Sequence, residues 1–255
     1  MNLSIYMLYA ILTDRKSDFH HFMPRPSFAN DNFYHVYNRG TDKRKIFQDQ
    51  EDHQRFIHDL FEFNDANSVI NILRRFTTRT DGSPTSYQVR KPRKLLVDVV
   101  SFCLMPNHYH LLLRQRKDGG LSKFIQKLGT GYTHYFNQKY QRSGVLFQGK
   151  FKAIHITDDE YLTHLSRYIH LNPLELKYPE YKEKGIKDWS AAATYLGSYH
   201  WSSYLDYIGI PTYPSVTHRD FLLQYFDGQP LKYEKFVREW TTKSFHKISN
   251  FSLDP

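Results

Sequence analysis

Cysteine is almost missing from this chain. Cys103 is the only one in 255 residues, which excludes an internal disulfide and fits a reducing, cytoplasmic setting. Long apolar runs are missing as well. None approaches the ~20 residues of a membrane helix. Leu3 to Leu12 is short and has no basic flank before it, and Leu95 to Met105 is interrupted by Asp98, so neither reads as a signal peptide or a span. No internal repeat is visible. Negative charge is in short supply too, with 26 acidic against 35 basic residues and a net charge of +9.

What is abundant is aromatic, with 20 Tyr and 19 Phe. Basic charge attracts a polyanion, and aromatic faces accept unpaired bases. Rings also fill cores and charge is also simply solvated, so composition alone leaves both readings open. The length allows one large domain or a domain with extensions. Phe33 to Tyr37 reads as a strand ended by the turn signal Asn38-Arg39-Gly40. Glu51 to Asn64 has helical spacing at Phe56, Leu60 and Phe63. Leu95 to Phe102 and His110 to Arg116 read as two halves of a hairpin or one bent strand, broken at Pro106-Asn107. Leu121 to Tyr140 is a second helix. Gly144 to Ile156 reads as an edge strand or pair, with Lys150 and Lys152 facing the same way. Asp158-Asp159-Glu160 then opens a third helix, suiting its dipole. Strands and helices in this mixed order, with a hairpin among them, predict an α+β sandwich of helices on an antiparallel sheet.

The most informative stretch is Met105-Pro106-Asn107-His108-Tyr109-His110, followed by three leucines. Alternation along a strand puts His108 and His110 on one face and Tyr109 on the other. Paired imidazoles form half of a metal site. The third helix offers the remainder. Asn172 stands four residues after Tyr168 and shares its face, although Pro173 disfavours helical backbone at Asn172. The amide would be the third ligand, and the Tyr168 hydroxyl would attack phosphorus. A phenol ionises near pH ~10, so Tyr168 needs help with its proton; His164 and His170 are candidates. Tyr161 and Tyr135 are alternative nucleophiles. Cys103 with the two histidines is an alternative zinc site, provided that Pro106 folds the chain back.

These residues carry a resemblance. Phe102 to Leu113 resembles the His-hydrophobic-His (HUH) motif of the single-tyrosine transposases. Tyr34 to Gly40, Tyr135 to Phe151 and Tyr168 to Pro173 fit the same family in the same order, and Trp201-Ser202-Ser203-Tyr204 fits a segment beyond its core. More narrowly, the chain resembles the REP-associated tyrosine transposases over about residues 33–210. The resemblance implies a ferredoxin-like fold with both histidines on a central strand. It implies Mg²⁺- or Mn²⁺-dependent, ATP-independent cleavage of single-stranded, hairpin-forming DNA, leaving a 5′-phosphotyrosine and a free 3′-hydroxyl. By motif position, His108, His110 and Asn172 become metal ligands and Tyr168 the nucleophile. Compact members form dimers that exchange tyrosine helices, so a homodimer is one expectation and a single acting chain the other.

Gly149-Lys150-Phe151 departs from the frequent Gly-Arg-Phe of the family, losing the planar fork that grips phosphate at two points. Arg39, Lys43, Arg44, Lys45, Lys150 and Lys152 are the candidate DNA-backbone contacts. Residues 1–32 are expected to form an N-terminal extension without a functional role, with Met23 as the start. Residues 33–178 are expected to form the catalytic domain, with a basic insertion at 77–94, and 179–255 a C-terminal extension. The competing reading is a domesticated nucleic-acid-binding protein that keeps the fold but not the transposition activity. A metallohydrolase using metal-bound water is a third.

Overall fold

The computed structural model describes residues 26–67 and 92–242. β1 (Phe33–Arg39) is the expected aromatic strand. α1 (Gln50–Glu62) is started by Asp49, whose side chain accepts from the Asp52 amide at 3.0 Å. β2 (Val97–Met105) and β3 (His108–Gln115) form a hairpin turning at Pro106-Asn107, which decides between the hairpin and the bent strand. α2 (Gly120–Lys139) and β4 (Lys152–Ile156) complete a β-α-β-β-α-β order. The sheet runs β2-β3-β1-β4 with every neighbouring pair antiparallel. This is the ferredoxin-like α+β arrangement.

Alternation divides the central strands between two faces. Tyr34 and Val36 of β1, with Tyr109, Leu111 and Leu113 of β3, pack on Phe56 and Leu60 of α1 and Phe124 and Leu128 of α2. The other face carries His35, Tyr37, His108, His110 and Leu112. On β2 the register shifts between Val99 and Ser101. The shift resets the alternation, so Val99 and Phe102 join the first core while Val100, Cys103 and Met105 join the second.

The second core is closed by α3 (Asp159–Leu171), which Asp158 caps by accepting from the Tyr161 amide at 2.7 Å. A 3-10 turn (Asn172–Leu176) follows. Beyond it come α4 (Tyr181–Lys184), α5 (Trp189–Ser198), α6 (Tyr204–Tyr207), α7 (Asp220–Leu223) and α8 (Pro230–Thr242). Leu165 and Ile169 of α3 share a core with Leu196, Tyr207, Tyr233 and Val237. The residues after 178 therefore complete the packing around α3. The stretch Trp201 to Ser203 also runs beside the outer edge of β2, where Leu104 N–H donates to the Trp201 carbonyl at 2.9 Å and Ser203 N–H to that of Phe102 at 3.0 Å. An edge strand left open there would invite pairing with another chain.

One expectation changes. The strand expected over Gly144 to Ile156 contracts to β4, because Gly149 turns the chain at φ 68°. Lys150 therefore lies before the strand and does not alternate with Lys152. Residues 26–32, within the expected N-terminal extension, pack on the sheet: the Phe28 ring meets that of Tyr34 edge-on at 5.0 Å, and Asp31 pairs with Arg114 at 2.5 Å. Of the basic stretch 77–94, only 92–94 fall within the described residues, where Arg93 lies over the Phe61 ring at 3.8 Å. Residues 1–25, Met23 included, and 243–255 lie outside them. Among the described residues, no helix is long and apolar enough to cross a membrane.

Candidate active site

His108 and His110 leave the same face of β3, a central strand, as their spacing requires. His110 sits opposite Tyr37 of β1 and Cys103 of β2, and His108 opposite Arg39 and Met105. Their ring centroids are 5.0 Å apart. His108 is half-buried, with Nδ1 2.7 Å from the Asn107 side-chain oxygen. His110 is fully buried, with Nδ1 2.9 Å from Nε2 of His35. Burial holds the His110 pKa well below the usual imidazole range, and the nearby His108, His35 and Lys182 push it the same way. Its Nε2 is buried without a hydrogen-bond partner.

α3 brings Tyr168 over these rings. The phenol meets His110 nearly edge-on, with centroids 5.6 Å apart, and His35 at 6.4 Å. Tyr168 is 8% exposed, so it covers the imidazoles in direct contact, with no cavity between the rings. Asn172 keeps helical backbone (φ −49°, ψ −41°) despite the proline after it. Its side chain is fully buried, and neither amide atom has a hydrogen-bond partner. Lys182 of α4 places its ammonium 5.1 Å from the centre of the Tyr168 ring and pairs with Glu175. Among the described residues, no three His, Cys, Asp or Glu side chains are grouped to hold a metal.

Residues 40–47 wrap the hairpin turn: Gly40 N–H donates to the Asn107 carbonyl and Ile46 N–H to that of Pro106, each at 2.8 Å. This carries Lys43, Arg44 and Lys45, all exposed, to the turn that precedes His108. Gly40 bridges to Phe147, and Gln148 N–H donates to the Arg39 carbonyl at 2.8 Å. The two basic groups, far apart in sequence, are thus neighbours. Lys152 lies over the Tyr37 ring at 5.9 Å, and its pKa is lowered by burial and then by Arg39. Lys150 is exposed.

Residues 76–172 match the family model for IS200-like transposases. Over that stretch the chain is similar to the IS200-like transposases. The match takes in His108, His110, Tyr168 and, at its last position, Asn172. No curated protein matches this chain. Among solved structures, a REP-associated tyrosine transposase bound to a REP hairpin is similar with a TM-score of 0.48 at 12% identity, over 77% of this chain and 90% of that one. A presumptive transposase of Deinococcus radiodurans r1 gives 0.31 at 12% identity, over 58% and 95%. The tRNA(His) guanylyltransferase of Saccharomyces cerevisiae gives 0.33 at 7% identity, over 91% and 87%. Likenesses of this grade carry no functional argument.

Several residues expected to serve the transposase site are engaged elsewhere. Both ring nitrogens of His170 are taken, Nδ1 by the Tyr233 hydroxyl at 2.6 Å and Nε2 by that of Ser203 at 2.8 Å. His164 packs against Trp240 and contacts the Arg167 guanidinium. Neither ring is held against the Tyr168 phenol as a base. Tyr135 packs with the opposite core and donates to Asp52 at 3.1 Å, so the sheet separates it from the imidazoles. Tyr161 remains on the Tyr168 side. Cys103 faces the same way as His110 and is fully buried, and burial pushes its thiol pKa well up. Two neighbours of the site escaped the sequence reading. His35 is a lone histidine with no partner at a telling spacing. Lys182 lies in a charged stretch that resembles any solvated turn.

Proposed function

We propose that this protein is a transposase that cuts and rejoins single-stranded DNA through a covalent tyrosyl linkage, with Tyr168 as nucleophile and Mg²⁺ or Mn²⁺ held by His108, His110 and Asn172. One observation carries the reading. The His110 Nε2 and both Asn172 amide atoms are buried without partners, on the sheet face that Tyr168 covers. A buried unsatisfied polar atom costs about 1–3 kcal/mol, and a divalent cation that accepts imidazole nitrogen and amide oxygen would offset that cost. Such a cation, when bound, would polarise the phosphoryl group and offset its charge.

The chain's own groups do the remainder. Tyr168 turns its hydroxyl outward from the imidazoles as the phosphate enters. Its oxygen attacks phosphorus, the bond to the 3′-oxygen breaks, and that oxygen leaves as a hydroxyl after taking a proton. The 5′-phosphate stays on the tyrosine until another strand's 3′-hydroxyl displaces it. One phosphoester replaces another at each step, so no ATP is consumed. The Lys182 ammonium stands beside the ring, 5.1 Å from its centre. Arg39, Lys43, Arg44, Lys45, Lys150 and Lys152 line the path of the DNA backbone. All four central residues come from one chain.

Incubation with hairpin-bearing single-stranded oligonucleotides and Mn²⁺ tests this. The expected product is a protein–DNA band that survives denaturation and is strongly reduced in His108→Ala. Tight hairpin binding without any such band supports a nucleic-acid-binding protein instead. Cleavage without trapping supports hydrolysis by metal-bound water.

A further inference from the structure

We infer that Lys177, Tyr178 and Tyr195 form a stacking subsite for unpaired DNA bases, on a strip that leads to the turn before His108. The inference rests on the reading of single-stranded DNA as the substrate. The strip lies outside the stretch that matches the transposase family. Tyr195 of α5 and Tyr199, which ends that helix, are one turn apart, with ring centroids separated by 6.3 Å. Tyr178 follows the 3-10 turn, and its N–H donates to the Leu174 carbonyl at 2.6 Å. These tyrosines rest against the second core and stay partly open to solvent. Tyr199 anchors the strip to the site. Its hydroxyl donates to the Leu104 carbonyl at 2.6 Å and stands 4.0 Å from the Met105 sulfur. Met105 lies opposite His108 in the β2–β3 hairpin.

The charge on this strip is uncompensated. Lys177 is exposed, with its ammonium 5.7 Å from the centre of the Tyr178 ring and 5.3 Å from that of Tyr195. Of the carboxylates that flank it in sequence, Glu175 pairs with Lys182 and Glu180 with Lys184. Among the described residues, no carboxylate pairs with Lys177 itself. Ring faces that admit an ammonium also admit the flat face of a base. The lysine stem is flexible, so an entering base displaces the ammonium from the rings towards the phosphate beside that base. Phenol face and freed cation then hold one nucleotide between them. Neither group reads a base edge, so the subsite grips any unpaired base.

The test uses the full chain in metal-free buffer and a hairpin-bearing single-stranded oligonucleotide, with iodouracil placed in turn at each unpaired position. Irradiation of the wild-type complex, followed by mass spectrometry, is expected to find crosslinks on Tyr178 or Tyr195 from at least one position. That measurement requires no variant to fold. In binding titrations, Tyr195→Leu keeps an apolar side chain on the core but removes the ring face. It should weaken binding on the order of tenfold and leave the slope against salt unchanged. Tyr195→Phe should bind as the wild type does. Lys177→Gln should instead reduce the slope of log affinity against log salt by about 0.7, the share of one phosphate on a single strand. Crosslinks confined to other surfaces overturn the inference, and so does wild-type affinity in a folded Tyr195→Leu protein. Failure of the underlying reading looks different, because the wild-type chain then does not bind the oligonucleotide at all.

Discussion

Asn172 is held at the end of α3 with its whole side chain buried and its amide unsatisfied. An apolar residue of similar volume removes that burden. Asn172→Leu is therefore expected to leave the metal-free fold as stable as wild type or more so, by up to about 1–3 kcal/mol, while Mn²⁺ binding and adduct formation collapse. Denaturant melts beside a Mn²⁺ titration read both, and a large loss of stability would assign Asn172 to the fold instead. Lys182 makes a second residue-level case. Lys182→Met is expected to slow adduct formation at pH 7, because it removes the ammonium beside the Tyr168 ring. An unchanged rate would place Lys182 outside the reaction. That His108 and His110 share a face was legible because a two-residue spacing has one geometric meaning in a strand. That Tyr168 and Asn172 share one was legible because a four-residue spacing has one in a helix. His35 and Lys182 reach the site only through tertiary packing, which no spacing encodes.

The element that matters most is α3, and His170 ties it down. Its ring joins Tyr233 of α8 and Ser203, whose hydroxyl also accepts from the Phe102 amide of β2 at 2.9 Å. Burial pushes the His170 pKa down to about 3. The unfolded chain binds a proton at this residue below pH ~6.5, whereas the folded chain resists until pH is near 3. Its contribution is therefore fully present above pH ~6.5 and is lost as pH falls towards 3, on the order of a few kcal/mol. His170→Gln should lose about one proton's worth of the slope of stability against pH in that window, measured by denaturant melts. An unchanged slope would mean that the ring is accessible to protons. Strand and helix identities were readable from alternation and helical spacing. The register shift in β2 was not, because a strand buried on both faces shows no alternation to interrupt. The early end of the last strand was set by a glycine turn that also fits a bulge.

At the scale of the molecule, the sheet separates a face built for packing from a face carrying imidazoles, phenol and amide. The basic rim connects with the second face through the turn at Pro106-Asn107. Lys43→Gln with Lys45→Gln should weaken binding of single-stranded DNA and reduce the slope of log affinity against log salt by about 1.4, if each lysine meets one phosphate. Replacing Lys235, exposed on α8, should leave the slope alone. An equal effect of both would mean that the charge acts diffusely. α3 is held on its own sheet by α8 and the 201–207 stretch, so a chain lacking His108 and a chain lacking Tyr168 should not restore adduct formation when mixed. Restoration would show that the helices exchange between copies.

The central claim is that the Tyr168 oxygen takes the phosphate. Digestion of the protein–DNA adduct formed in Mn²⁺, with mass spectrometry of the nucleotide-bearing peptide, tests it most directly. The account predicts a nucleotide attached through its 5′-phosphate to the Tyr168 side chain, and no adduct from Tyr168→Phe. Attachment at Tyr161, or an undiminished adduct from Tyr168→Phe, would contradict it.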